Sequence, residues 1–152
     1  MKLGKIIAIT FLVIAFVGFA DATFLTWKHY VGIVPPCFVA TGCETVLTST
    51  WNKIAGIPVS LLGALYYVFL GILATYYLAT KKEGVVTIAS WSTFAGLFAS
   101  LWFVSLQIFI IKHICFYCMI SATTSLLLFV TGSIYIFKKP KNQIAPKETL
   151  SS

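Results

Sequence analysis

IIAITFLVIAFVGFADATFLTW, residues 6–27, is an apolar run interrupted by a single charge, Asp21. Crossing about 30 Å of hydrocarbon takes roughly 20 helical residues, so this run is long enough to span a bilayer. A secretory leader is the competing assignment, because Lys2 and Lys5 precede the run and Ala20-Asp21-Ala22 resembles a cleavage site. Phe24, Leu25 and Trp27 carry the apolar character past that point, beyond the core of a leader. The run is therefore expected to be the first membrane helix. Three more runs of spanning length follow, at approximately 57–80, 85–111 and 115–137. Between them 28–56 is the longest remaining stretch, and 138–152 forms a tail. No room is left for a separate soluble domain. In hydrocarbon each segment has to satisfy its own backbone, which favours helices over irregular chain. The expected fold class is all-α: one polytopic membrane domain over residues 1–152, built as a bundle of four transmembrane helices.

Composition points the same way. The 152 residues are 59% hydrophobic and 10% charged, with a mean hydropathy of +0.96. A soluble domain carries about 25% charged residues, and a disordered chain has the opposite balance from this one. The formal charge is +7, and all 11 basic residues are Lys. Without Arg there is no bidentate recognition of bases or phosphates, so no nucleic-acid partner is expected. The lysines instead set orientation, since cytoplasmic flanks collect them. With the N-terminus inside, the inner flanks hold Lys2, Lys5, Lys81, Lys82, Lys138, Lys139, Lys141 and Lys147, and the outer ones only Lys28, Lys53 and Lys112. The chain is expected to sit in the cell membrane with both termini cytoplasmic and 28–56 outside.

That orientation puts all four cysteines at the outer face, where disulfides persist. Cys115 and Cys118, in Lys112-His113-Ile114-Cys115-Phe116-Tyr117-Cys118, open the fourth helix. Two residues between cysteines on a first turn bring the sulfurs within bridging reach. The helix N-terminus favours the thiolate, the attacking species in exchange. Cys118 lies about one turn inside the bundle, roughly 4–5 Å below its edge, where a lipid-soluble oxidant can reach it. A static disulfide, or two thiols packed as small hydrophobes, is the alternative for the same spacing. Cys37 and Cys43 follow Pro35-Pro36 and enclose Gly42, the composition of an exposed loop. A loop dithiol beside a membrane-embedded pair can pass electrons to it by exchange.

After Cys43, Leu47, Trp51 and Ala55 lie on one helical stripe, with Val46, Thr50 and Ile54 beside it. This pattern predicts a short amphipathic lid helix over 44–55, ended by Gly56, with Pro58 opening the next helix. Asp21 would cost about 2.5–3.5 kcal/mol at a membrane centre. Its place toward the outer end predicts a structural carboxylate satisfied by lid contacts or water. Ser90, Ser92, Ser100, Ser105 and Gln107 are read chiefly as helix-packing residues able to bond between helices, and Gln107 lies near enough to the outer face to line a pocket. The alternative function is a metal-binding membrane protein using the cysteines with His29 and His113, since thiolate and imidazole suit zinc or copper(I).

Cys37-x5-Cys43, Val46-Leu47-Thr48-Ser49-Thr50-Trp51, Gly56-Ile57-Pro58, Leu61-Leu62-Gly63 and Cys115-Phe116-Tyr117-Cys118 occur in that order. Together they resemble the vitamin K epoxide reductase family, from the first helix through the fourth. The short stretch between lid and second helix is similar to prokaryotic members, and no fused thioredoxin-like domain is expected after residue 137. The resemblance implies a quinone-coupled thiol oxidoreductase. In it Cys118 faces a membrane quinone of the menaquinone, ubiquinone or vitamin K type, Cys115 exchanges with Cys43, and Cys37 meets an external thioredoxin-fold protein. It also implies that Ser49 matches the family's Ser after the loop cysteines and that Asn52 corresponds to the Asn that hydrogen-bonds a quinone carbonyl. Trp51 joins Ser49, Asn52 and Ala122 as a candidate quinone-binding residue, but one sequence does not rank it above Phe94, Phe98, Trp102 or Phe109, and aromatic belts and ordinary packing account for most of the aromatics. Where vertebrate members carry a quinone-contacting Tyr, this chain has Ala122, so vertebrate substrate specificity does not follow.

Overall fold

A computed structural model describes residues 2–36 and 42–138. Cys37, the tail beyond Lys138 and its Lys139, Lys141 and Lys147 lie outside the described residues. The chain runs through helix α1 (Lys2–Val31), short helix α2 (Cys43–Thr48), a 3-10 turn (Thr50–Asn52) and strands β1 (Lys53–Ile54) and β2 (Ile57–Pro58). Helices α3 (Val59–Thr80), α4 (Glu83–Ser105) and α5 (Phe116–Lys138) follow, with α4 continuing into a π-helical stretch at Leu106–Ile111.

Among the described residues, α1, α3, α5 and α4 with its π extension are long and apolar enough to cross a membrane. The 22 residues of α3 reach about 33 Å at 1.5 Å per residue. Their outward faces stay apolar: Phe16 is 70% exposed, Phe98 72% and Phe109 75%. A soluble bundle would turn polar residues outward there, whereas lipid accepts these. Helix α1 packs on α3 and α5, and α4 packs on α5 and α3, closing a ring of four. The core along it includes Phe11, Tyr67, Leu70, Leu128 and Tyr135.

Polar groups buried in this core are largely paired. The Tyr67 hydroxyl meets Thr124 Oγ1 at 2.6 Å and donates to the Ser121 carbonyl at 3.0 Å, tying α3 to α5. At the opposite end from Cys118, the hydroxyls of Tyr77 and Tyr135 both donate to the Glu83 carboxylate, joining α3, α4 and α5. The α4 serines do not bridge helices as expected through their own hydroxyls. Ser92 and Ser105 donate back to Ile88 and Leu101 within α4, because a hydroxyl in a helix reaches its own preceding turn most easily. Ser90 Oγ is buried without a partner among the described residues.

The lid departs from one continuous helix over 44–55. Helix α2 stops at Thr48 because Ser49 is extended, with ψ 153°. Two side chains then take the carbonyls that another turn would have used. Ser49 Oγ donates to Val46 O at 2.8 Å and Asn52 Nδ2 to Leu47 O at 2.6 Å. Ser and Asn compete with the backbone in this way, so Thr48-Ser49-Thr50 is a poor helix interior. The rest of the lid is a tight hairpin, Lys53 pairing Pro58 and Ile54 pairing Ile57. Its two turn residues, Ala55 and Gly56, both have positive φ, 52° and 83°, as a two-residue turn between twisted strands requires. Pro58 consequently precedes α3 instead of starting it.

Candidate functional site

Cys115 and Cys118 are free thiols, while Cys43 takes part in a disulfide. Their placement begins with the end of α4. The π turn carries Gln107 inward, where it is 3% exposed, and its Oε1 accepts the Cys115 N–H at 2.9 Å. The Gln107 carbonyl also accepts the His113 N–H at 3.2 Å. One residue thus pins both ends of the 112–115 turn. The Cys115 carbonyl accepts the Met119 N–H at 3.1 Å, the first bond of α5, which makes Cys115 the N-cap and Cys118 the N3 residue.

An N-cap side chain accepts the otherwise unused N–H groups of the first turn, and here the acceptor is sulfur. The Cys115 thiol is lowered from 9.0 to about 7, chiefly by a hydrogen bond from the Cys118 thiol. The backbone N–H groups of Cys118 and Tyr117 assist, while burial and the Asp21 charge oppose. The Cys115 thiolate therefore forms as pH rises through about 7, well below an ordinary thiol. With Cys37 and Cys43 replaced by Ala, thiolate ultraviolet absorbance is expected to show a step near pH 7. Adding Cys118→Ala removes the donor and moves the step upward; a step that stayed put would show that Cys118 is not its cause.

Cys43 is 1% exposed and Cys115 is fully buried, and both belong to one cluster with Val46, against which Leu47, Ile111, Tyr117 and Cys118 pack. Gly42 permits this. A Cβ on it would stand 2.7 Å from His113 Cβ and 2.9 Å from Ile114 O, closer than real side chains come. The loop backbone therefore lies directly on the turn before Cys115. Gly42 and Gln107 matter more to the site than their residue types suggested, since only the touching of loop and turn gives either one its role.

Beneath the lid is a cavity of about 360 Å³, a size typical of small-molecule sites. Cys118 is on its wall, as are Ser49, Trp51, Asn52 and Ala122. Cys115 and Cys43 are not among its lining residues. Of the aromatics that composition could not rank, Trp51 lines the cavity, while Phe94 instead stacks on Trp91 and meets Phe129 edge-on. The Asn52 amide spends one N–H on Leu47 O, which leaves its second. Asp21 also lines the cavity, yet its Oδ2 is buried with no hydrogen-bond partner among the described residues. Lid contacts do not satisfy it as expected, because the lid's polar side chains Ser49 and Asn52 turn back onto α2. Among the described residues no three His, Cys, Asp or Glu side chains gather into a metal-ligand group.

A membrane helix bundle that presents one sulfur of a free dithiol to an apolar cavity is the architecture of a membrane thiol oxidoreductase. The chain belongs to the Vitamin K epoxide reductase family, which matches residues 9–132. Proteins of this family are oxidoreductases that use quinones as redox partners. No curated protein matches the chain.

Proposed function

We propose that this protein oxidises the thiols of a thioredoxin-fold partner at the outer membrane face and passes the electrons to a membrane quinone, supporting disulfide formation. The observation that carries this reading is the division of labour at the inner pair: Cys118 lines the cavity, while Cys115 is buried against Cys43. Electrons enter at Cys37, which exchanges with the partner. They pass from Cys43 to Cys115 by attack of one sulfur on the other pair's disulfide, and leave through Cys118. A disulfide at Cys43 beside a free Cys115/Cys118 dithiol corresponds to the stage after electrons have moved inward.

The quinone, of the menaquinone, ubiquinone or vitamin K type, would lie in the cavity with Trp51 and Ala122 on its walls. The second N–H of Asn52 is suited to polarise a carbonyl, and Ser49 ties down the end of α2 just before the 3-10 turn that carries Asn52. When bound, the quinone supplies a two-electron acceptor. The chain's own part is to hold Cys118 against it, keep water out and place a donor where negative charge develops on oxygen. Lysine distribution supports cytoplasmic termini with the lid outside, because Lys5, Lys81, Lys82 and Lys138 lie at helix ends away from the cysteines.

Trapping tests the route. In a Cys43→Ala variant the mixed disulfide between Cys37 and its partner cannot be resolved, so a covalent adduct with a thioredoxin-fold protein is expected to accumulate. It should be visible on non-reducing gels and absent from Cys37→Ala. Failure to find it in cells that express a suitable carrier would remove the external partner from the scheme.

A further inference from the structure

The cavity holds one group that the dithiol chemistry above does not use. Among the described residues Asp21 is the only carboxylic acid on the cavity wall, and no Lys, Arg or His lines it. An ionisable residue within a membrane span is costly and usually finds a partner, but Asp21 Oδ2 has none among the described residues, and the two tyrosine hydroxyls of α3 on this wall are engaged elsewhere. Tyr66 donates to the Ser92 carbonyl at 3.3 Å, and Tyr67 is taken up by Ser121 and Thr124. Asp21 Oδ2 is left buried and unpartnered among the described residues, on the wall that also carries Cys118. Its charge reaches the pair, since it acts on the Cys115 thiol. The remaining ionisable groups on this wall are Tyr66 and Tyr67 from α3 and Tyr117 and Cys118 from α5.

We propose that Asp21 is the proton carrier of this site, taking the proton that leaves the Cys118 thiol and delivering it to a quinone oxygen. The inference rests on the quinone-reductase reading and adds to it the route of the proton. Cys118 loses its proton to the Asp21 carboxylate and its sulfur bonds to a quinone ring carbon, sending an electron pair to one oxygen. The Asp21 carboxylic acid protonates that oxygen and returns to carboxylate. Cys115 thiolate then attacks the Cys118 sulfur; the S–S bond forms, the sulfur–carbon bond breaks, and its electron pair moves to the second oxygen. A proton from water at the cavity mouth completes the hydroquinone. Two electrons leave the sulfurs and two arrive on the quinone, and Asp21 ends as it began.

The test uses the full chain in detergent, with a decyl-substituted ubiquinone and a short-chain menaquinone analogue as separate acceptors. Two rates are measured for the wild type, Asp21→Asn and Asp21→Glu: quinone reduction, and alkylation of Cys118 by a lipophilic maleimide. A proton carrier contributes about 100-fold or more, so Asp21→Asn should reduce quinone at least about 100-fold more slowly. Measured at about pH 9, where hydroxide takes the thiol proton in place of a carrier, Cys118 alkylation should be as fast in Asp21→Asn as in the wild type. Asp21→Glu, which still carries a proton, should recover part of the loss. Parallel falls in both rates would mean a structural role and overturn the proposal, as would quinone reduction unchanged in Asp21→Asn. A wild type that oxidises thiols but reduces neither acceptor would overturn the quinone reading itself, and Asp21's role with it; only that outcome appears in the wild-type arm.

Discussion

Cys118→Ala should lose quinone-dependent thiol oxidation by about 1,000-fold or more, the scale on which removing a bond-forming group acts. The expectation follows from exposure. Cys118 is on the cavity wall, whereas Cys115 is fully buried and not among the lining residues, so no other sulfur in the described structure can replace it at the acceptor. The fold should survive. Cys118 is only half-buried, and the bonds that hold the turn, Gln107 to Cys115 and Cys115 to Met119, do not involve its side chain. A second signature should accompany the loss. With its resolving partner gone, Cys115 remains exposed to attack only from the Cys43 side, so a stable Cys43–Cys115 bond is expected and can be mapped by mass spectrometry. The check is quinone absorbance with the partner as reductant, alongside circular dichroism of the variant. Activity within tenfold of wild type would mean that another group reduces the quinone.

Gly42→Ala should uncouple the loop from the inner pair. Two of the three nearest atoms to the added Cβ, Ile114 O at 2.9 Å and Ile114 N at 3.0 Å, are backbone and cannot swing aside. The loop has to lift, and it takes Cys43, the next residue, away from Cys115. Exchange requires the sulfurs in line and in contact, and a misplacement of about 1 Å can cost about 100-fold. Turnover with the thioredoxin-fold partner should fall by about that factor. Alkylation of Cys118 from the cavity should be unchanged, because the added methyl does not touch the cavity wall. A variant that keeps full partner-driven turnover would show that Cys43 reaches Cys115 by a motion independent of the Gly42 contact.

Four spanning helices were readable because length and apolarity are properties of each segment alone. Their ends were less so. Helix α1 was expected at 6–27 and runs from Lys2 to Val31, because a helix does not stop where the hydrocarbon does. The lid differs from its sequence pattern for another reason. The stripe of Leu47, Trp51 and Ala55 has helical spacing, but Ser49 and Asn52 bond to the carbonyls of Val46 and Leu47 and end the helix first. Periodicity carries no signal of that competition. The candidates Ser49, Trp51, Asn52, Ala122 and Cys118 do meet on one cavity, although they come from the lid and α5 and no spacing rule connects them.

Span number, the lysine asymmetry and the two close cysteine pairs belong to neighbouring residues, so the amino-acid order alone determines them. Helix rotation and loop docking depend on residues far apart in the chain. It took the packed structure to turn Cys118 toward the cavity and Cys115 toward Cys43, to seat Gly42 on the 113–114 backbone, and to leave Asp21 facing the cavity without a partner among the described residues. The physical reason is that a thiol or carboxylate acquires its chemistry from what lies within a few ångströms of it, and here those neighbours are supplied by other helices.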